Sequence, residues 1–196
     1  MDDSVIRAMA KWPNVPAVYG WLALDHRGQW SIKSASAAGF ERVANTKLIE
    51  FIGRNYAHDD AGRWYFQNGP QRVYVALAYT PLVYRIAHAH PLAFATHTGA
   101  ACAELRAVYM DEAGNLLLVT EHGPGLLLDR DLPRALEALS YADGHVLDEE
   151  RLLALIEEGA EASEVYFNTG AASLPLVRMR AQEAPQRFGY VLEPQP

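Results

Sequence analysis

The sequence predicts an α+β protein built mainly from antiparallel β-hairpins, with about three helices between them. Two observations lead to this prediction. Short runs of alternating apolar and polar residues are bounded by recurring Asp-x-x-Gly turns, and three segments show the spacing of amphipathic helices. Half of the 196 residues are hydrophobic, which is enough to bury a core without disulfide bonds.

The hairpins are predicted from their turns. In "VYGWLALDHRGQWSIK" two apolar-rich runs flank residues 25–28, where Asp favours the start of a type I turn and Gly tolerates the left-handed conformation. The same arrangement returns at residues 59–62 and 111–114. Further strands are predicted at "LVYRIAH", "LRAVYM", "SEVYF", "LPLVRMR" and "FGYVLE", while "HAHPLAFATHTGAA" is typical of an irregular connection.

The three helices are predicted from apolar stripes and cap residues. They lie in "NTKLIEFIGRNY", whose stripe ends at Tyr56, in "DLPRALEALS", and in "LDEERLLALIEEG", which Gly159 ends. Their predicted N-terminal caps are Asn45 or Thr46, Asp131 and Asp148.

The chain divides at its middle into two predicted hairpin and helix subdomains, residues 1–100 and 101–196, which either stand apart or form one compact domain. "DDAGRWYFQNGPQRVYVAL" and "DEAGNLLLVTEHGPGLLLD" both run turn, strand, Gly-Pro corner and strand. A divergent internal repeat would explain this similarity, although hairpins in general reuse the same turn residues.

Charge and cysteine content restrict the cellular compartment and the kinds of partner that the sequence predicts. The formal net charge of −7 repels phosphate backbones and disfavours nucleic-acid binding. The single cysteine, Cys102, has no intramolecular partner, and the acidic start "MDDSVIRAMAKW" lacks the pattern of a secretory signal. No run is long enough to span a bilayer, so we expect a cytoplasmic protein that does not bind membranes.

The hairpin "GRWYFQNGPQRVYV" carries the predicted ligand-binding residues. Strand alternation separates a core face from a polar-aromatic face, and we expect the latter to be open to solvent or to a partner. Its aromatic, amide and guanidinium groups can hold a planar or anionic small molecule or a protein partner. The alternative is that these residues are ordinary cross-strand pairs that stabilise the hairpin. The core face is formed by Trp64, Phe66, Val73 and Val75, and the polar-aromatic face by Tyr65, Gln67, Arg72 and Tyr74.

A second candidate site lies in "IAHAHPLAFATHTG". His88 and His90 are two positions apart, as on one face of a strand, and His97 follows a bend that Pro91 favours. Imidazoles at this spacing can converge on a divalent transition metal, which would make the protein a metal-dependent enzyme. The alternative is that all three are surface or loop histidines.

Other chemistry is disfavoured. The sequence has no Gly-x-Ser-x-Gly elbow, no Walker loop and no Gly-x-Gly-x-x-Gly motif, so no catalytic residue and no cofactor other than that metal is predicted. Carbohydrate recognition by exposed Trp30, Trp64 and Tyr65 is a third interpretation.

The stretches "VYGWLALDHRGQWSIK", "IEFIGRNY" and "GRWYFQNGPQRVYV" resemble an uncharacterised family of proteobacterial proteins. The resemblance implies a soluble bacterial protein and brings no catalytic residue with it. The sequence therefore favours a non-catalytic cytoplasmic module that binds a small molecule or a protein partner in regulation or signalling.

Overall fold

The computed structural model describes residues 1–34, 39–156, 162 and 164–196, and these form two compact units. Unit 1 consists of Met1–Pro81 and Pro185–Pro196, and unit 2 consists of Leu82–Ala184. Unit 1 is therefore built from two separate stretches of the chain. The predicted halves, 1–100 and 101–196, stay a prediction.

Unit 1 contains one six-stranded sheet. Its strand order is β3-β2-β1-β6-β5-β4, in which β1 and β6 pair in parallel and all other neighbours are antiparallel. In chain order the elements of residues 1–81 are α1 (Asp3–Lys11), β1 (Val18–Leu24), β2 (Trp30–Lys33), β3 (Phe40–Arg42), α2 (Thr46–Arg54), β4 (Tyr56–His58), β5 (Trp64–Asn68) and β6 (Gln71–Leu77).

Unit 2 contains one eight-stranded sheet. In chain order its elements are β7 (Leu82–Ala89), β8 (Leu92–Thr96), β9 (Leu105–Met110), β10 (Leu116–Thr120), β11 (Gly123–Leu127), α3 (Leu132–Leu136), β12 (Leu139–Tyr141), α4 (Glu149–Ile156), β13 (Val165–Asn168) and β14 (Ser173–Arg178). The strand order is β12-β13-β14-β9-β10-β11-β7-β8, with the β7/β11 and β9/β14 pairs parallel. A last short helix, α5, spans Ala184–Phe188, and all of it except Ala184 belongs to unit 1.

The three predicted turns share one hydrogen-bonding pattern. In each, Oδ1 of the leading aspartate, Asp25, Asp59 or Asp111, accepts hydrogen bonds from the backbone amides two and four residues later, at 2.8 to 3.1 Å. The backbone carbonyl of the same aspartate accepts the amide of the turn glycine. Each turn is therefore held by contacts local in sequence, as the motif predicts.

The predicted α+β class is confirmed, but the helix count is wrong. The described residues form five α-helices rather than about three, and the two that were not predicted are α1 and α5. Asn45 caps α2, its Oδ1 accepting the Leu48 amide at 3.2 Å, and Asp148 accepts the Arg151 amide at the start of α4. Asp131 stands at the start of α3 without a side-chain cap and instead accepts the Ile86 amide at 2.9 Å.

Three local assignments also need correction. Tyr56 lies in β4 rather than at the end of a helix, and part of the segment predicted as irregular forms β8. "FGYVLE" forms no strand: Phe188 ends α5, and the residues after it form isolated backbone hydrogen bonds, such as the one from Leu77 N–H to Leu192 O at 2.8 Å. Gly159, the predicted end of the third helix, lies outside the described residues.

Candidate ligand-binding site

The β5/β6 hairpin brings the four predicted ligand-binding residues together. In its register Tyr65 lies opposite Tyr74, and Gln67 lies opposite Arg72. Because side chains alternate along a strand, these two pairs share one face of the sheet, as predicted. The opposite face is packed in the core, where Val75 is 0 % exposed.

The prediction that this polar-aromatic face is open to solvent is wrong for three of its four residues. Tyr65, Gln67 and Tyr74 are buried, and only Arg72 is half-buried. The ring of Tyr19 stacks on that of Tyr74, with centroids 4.6 Å apart and planes 9° apart. The end of α1 and residues 12–17 face Gln67 and Arg72 across a shared cavity.

Between this N-terminal segment and the hairpin lies a cavity of about 360 Å³, which we call the hairpin cavity. The indole of Trp12, about half exposed, lies at its rim, and the Lys11 amine lies 4.5 Å from the centre of that ring. The cavity is lined by Met9, Trp12, Pro13, Val15, Ala17, Gln67, Pro70 and Arg72.

The carboxamide of Gln67 is one of the polar groups that line this cavity. Gln67 is only 1 % exposed, and its Nε2 donates to the Gly69 carbonyl at 2.9 Å. Its Oε1 is buried and has no hydrogen-bond partner among the described residues. Turning the amide over would place Oε1 against the Gly69 carbonyl and leave the donor unpaired instead, so one hydrogen bond stays unmade in either orientation.

Arg72 provides the positive charge. Its guanidinium carbon lies 4.6 Å from the centre of the Tyr65 ring, in a cation–π contact on the buried tyrosine. The planar N–H donors of a guanidinium suit an anionic group or the edge of a planar molecule.

The neighbouring Asp59 neutralises a different arginine. Its Oδ2 accepts from Arg63 Nε and from the Tyr74 hydroxyl, both at 2.9 Å. Burial opposes ionisation of Asp59, but these bonds and the Arg63 backbone amide outweigh it and hold the pKa of Asp59 below its ordinary value. Burial, and then the bond to Asp59, raises the pKa of Tyr74. Asp59 thus has its partners within the hairpin, and none of them is Arg72.

The chemistry available in the hairpin cavity is recognition rather than reaction. Its lining consists of Met, Trp, Pro, Val, Ala, Gln and Arg side chains, none of which serves at neutral pH as a nucleophile or a general base. One amide oxygen, one guanidinium and one indole can bind a ligand through hydrogen bonds, charge and stacking.

The three predicted metal-ligating histidines occupy different surroundings. His88 is exposed on β7, beside a register shift in the β7/β8 pair, and His90 is exposed beyond the end of that strand, next to Arg134. His97 is half-buried: its Nδ1 accepts the Val83 amide at 3.2 Å, and burial lowers its pKa to about 3. Within the described residues no three His, Cys, Asp or Glu side chains are grouped to hold a metal ion. The metal site stays a prediction.

The aromatic residues considered for carbohydrate binding are not exposed. Trp30 is 2 % exposed, and Trp64 and Tyr65 are likewise buried. They pack within unit 1, for example Trp64 against Tyr56 with ring centroids 4.8 Å apart. The prediction that they form an exposed aromatic surface is therefore wrong.

Sequence reasoning missed the residues that close the hairpin cavity. Met9 belongs to α1, whose signals were present: Asp2 stands at the N-cap position, Asp3 lies in the first turn and Lys11 in the last. Trp12 follows directly, and the prolines at 13 and 16 disfavour continuation of the helix into the segment that lines the cavity.

The two hairpin-rich sheets and the short helices make this a mixed α+β protein. Its hairpin cavity is large enough for a small molecule. The chain belongs to the family DUF2944, described as "Protein of unknown function (DUF2946)", whose model matches residues 1–195. The resemblance to a family of unknown function is thereby confirmed, and the proteobacterial source stays a prediction.

Two solved structures are similar to this chain. A DUF1285 family protein from Silicibacter pomeroyi DSS-3 has 13% sequence identity and a TM-score of 0.54, over 94% of this chain and 99% of that one. A DUF1285 family protein from Shewanella baltica OS155 has 15% identity and a TM-score of 0.42, over 56% and 85%. The first shows a shared fold alone. No curated protein matches. Among the helices of the described residues, none has the length and apolar character needed to cross a bilayer.

Proposed function

We propose that this protein is a non-catalytic cytoplasmic binding module and that its ligand is a small molecule held in the hairpin cavity. Gln67 and Arg72 contact the ligand, while Tyr65 and Tyr74 hold the guanidinium and the hairpin in place. The observation that carries this proposal is the buried Gln67 Oε1, which lacks a hydrogen-bond partner among the described residues. Leaving such an acceptor unpaired costs about 1–3 kcal/mol, so a ligand with a matching donor regains that free energy on binding.

The lining restricts the chemical class of the ligand. An N–H or O–H donor is needed for Gln67 Oε1, and an acceptor or a negative charge suits Arg72, which lies directly opposite Gln67 on the neighbouring strand. The planar guanidinium of Arg72 and the half-exposed indole of Trp12 favour a flat molecule over a branched one. The class that fits is a planar anion carrying a donor group.

The same proposal includes a divergent duplication of the hairpin. In unit 1 an Asp turn leads through β5 and a Gly-Pro corner into β6, which pairs in parallel with β1. In unit 2 an Asp turn leads through β10 into β11, which begins with Gly-Pro and pairs in parallel with β7. The order of elements and the parallel closing pair support a common origin of the two segments.

Three related probes test the ligand class: 4-hydroxybenzoate has both the donor and the charge, benzoate lacks the donor, and 4-hydroxybenzamide lacks the charge. We expect 4-hydroxybenzoate to bind most tightly in calorimetric titration. Benzoate should bind about tenfold more weakly, because a buried polar group without its partner costs about 1–3 kcal/mol.

Two arginine variants locate the site. Arg72→Ala should weaken 4-hydroxybenzoate binding and abolish its preference over 4-hydroxybenzamide. Arg106→Ala removes an arginine that is about half exposed and pairs with Glu104, and it should change neither. Binding of none of the three probes by the wild type, or equal binding by wild type and Arg72→Ala, would refute the proposal.

A further inference from the structure

Unit 2 has a cavity of its own, larger than the hairpin cavity, with a volume of about 550 Å³. We call it the His90 cavity. Its walls come from the turn after β7, from α3 and β12, and from the end of β13. Its lining includes His90, Arg134, Glu137, Ser140, Val146 and Asn168.

Arg134 is held at the cavity wall by two partners. Its Nη2 donates to Nε2 of His90, and its Nη1 donates to the Glu137 carboxylate one helical turn away. Because a guanidinium can only donate, the His90 ring accepts this bond through Nε2. Arg134 is therefore held beside the cavity by contacts with the protein's own side chains.

Further donors lie on the same cavity. Ser140, on β12, is only 6 % exposed, and Asn168 uses its Oδ1 to accept the Gly170 amide at 2.8 Å, which leaves its Nδ2 to donate. The rest of the lining includes apolar side chains, among them the exposed Pro91 and Val146, which is 71% exposed. The cavity thus combines a donor-rich side with an apolar side.

We propose that the His90 cavity binds a small aliphatic carboxylate, whose oxygens pair with Arg134 and whose hydrocarbon body lies against Pro91 and Val146. Arginine and carboxylate match in shape and form two parallel hydrogen bonds. Ser140 and Asn168 donate to the remaining lone pairs. The site differs from the hairpin cavity in residues and in unit, and it stands independently of the function proposed above.

Glu137 is then a built-in competitor for Arg134. Its side chain is 63% exposed and that of Arg134 is 40% exposed, so their ion pair is at the surface. Exposed pairs contribute little to stability, and a ligand carboxylate can displace Glu137 at small cost. Removing the Glu137 charge should accordingly strengthen ligand binding rather than weaken it.

The test is a calorimetric or NMR titration of the full chain with isovalerate, with isovaleramide as the uncharged analogue. We expect Glu137→Gln to bind isovalerate several-fold more tightly than the wild type, and Arg134→Ala to bind it about tenfold more weakly, as loss of a charge-assisted pair implies. Ser140→Ala should weaken binding to a smaller extent. Isovaleramide should bind the wild type and Glu137→Gln alike.

Glu104→Gln is the matched control, because Glu104 also forms an exposed ion pair with an arginine of unit 2, Arg106 at 2.9 Å. It should leave isovalerate binding unchanged. The proposal is overturned if neither the wild type nor Glu137→Gln binds isovalerate, if Glu104→Gln strengthens binding as much as Glu137→Gln does, or if isovaleramide binds as well as the acid. Circular dichroism of each variant is the control that checks whether its fold is intact.

Discussion

Replacing Gly62 by alanine should destabilise unit 1 through its contact with the C-terminal segment. Gly62 has a φ of +73°, and a Cβ at this position would lie 1.9 Å from the Gly189 carbonyl oxygen. Non-bonded heavy atoms are optimally about 3.5–4.0 Å apart, so the segment must move by roughly 1.5 Å. That movement breaks the hydrogen bond from Val191 N–H to Gly62 O, 3.1 Å long, and displaces the buried Tyr190.

The size of the effect follows from two separable costs. An alanine in the left-handed region costs about 1–2 kcal/mol. The lost hydrogen bond and the disturbed packing of Tyr190 add about 1–3 kcal/mol. Gly20→Ala is the matched control, because Gly20 has a φ of +72° and its Cβ would meet no atom within 4 Å. It should show the first cost alone.

Urea unfolding followed by tryptophan fluorescence measures both variants. We expect Gly62→Ala to lower the free energy of unfolding by about 1–3 kcal/mol more than Gly20→Ala does, since only the former displaces the C-terminal segment. Limited proteolysis should also cleave after Phe188 faster in Gly62→Ala. Equal destabilisation of the two variants, with equal proteolysis, would refute the assigned contact between residues 62 and 189.

Three further predictions concern single positions. His97 has a pKa lowered to about 3, so below its ordinary pKa of about 6.5 the unfolded state binds a proton that the folded state does not. The free energy of unfolding should therefore fall by about 2 kcal/mol between pH 7 and pH 5. His97→Asn keeps an acceptor for the Val83 amide, and its free energy of unfolding should fall less over the same range. Parallel pH profiles of the wild type and this variant would contradict the prediction. Val75→Ala should cost about 1–3 kcal/mol in urea unfolding because Val75 is 0 % exposed, and an unchanged midpoint would argue against its burial. Zinc should affect the melting temperatures of the wild type, His88→Ala and His90→Ala equally, whereas a rise confined to the wild type would favour the metal-dependent enzyme.

The hairpins could be predicted because their turns are determined locally. In each of the three Asp turns one carboxylate oxygen accepts amides only two and four residues away, so the motif alone contains most of the interaction. The pairing of Tyr65 with Tyr74 and of Gln67 with Arg72 follows from the corner between the strands and from alternation.

Burial of that same face could not be predicted in this way. Alternation tells which side chains share a face, but not what covers it. The cover comes from Tyr19 and from the chain around Trp12, more than 40 residues away along the sequence from Tyr65 and Tyr74. Helix α5 has five residues, too few for a periodic pattern, and the alternation of "FGYVLE" imitates a strand.

The chain order of unit 1 has a consequence for synthesis on the ribosome. Its sheet strands are all made by residue 77, yet the Leu77 amide pairs with the Leu192 carbonyl and the Gly62 carbonyl with the Val191 amide. The whole of unit 2 is translated between these partners. The backbone groups at β6 and at the Asp59 turn therefore stay open in the nascent sheet until residues 191 and 192 emerge. Before that point a chaperone or an aggregating neighbour has access to them.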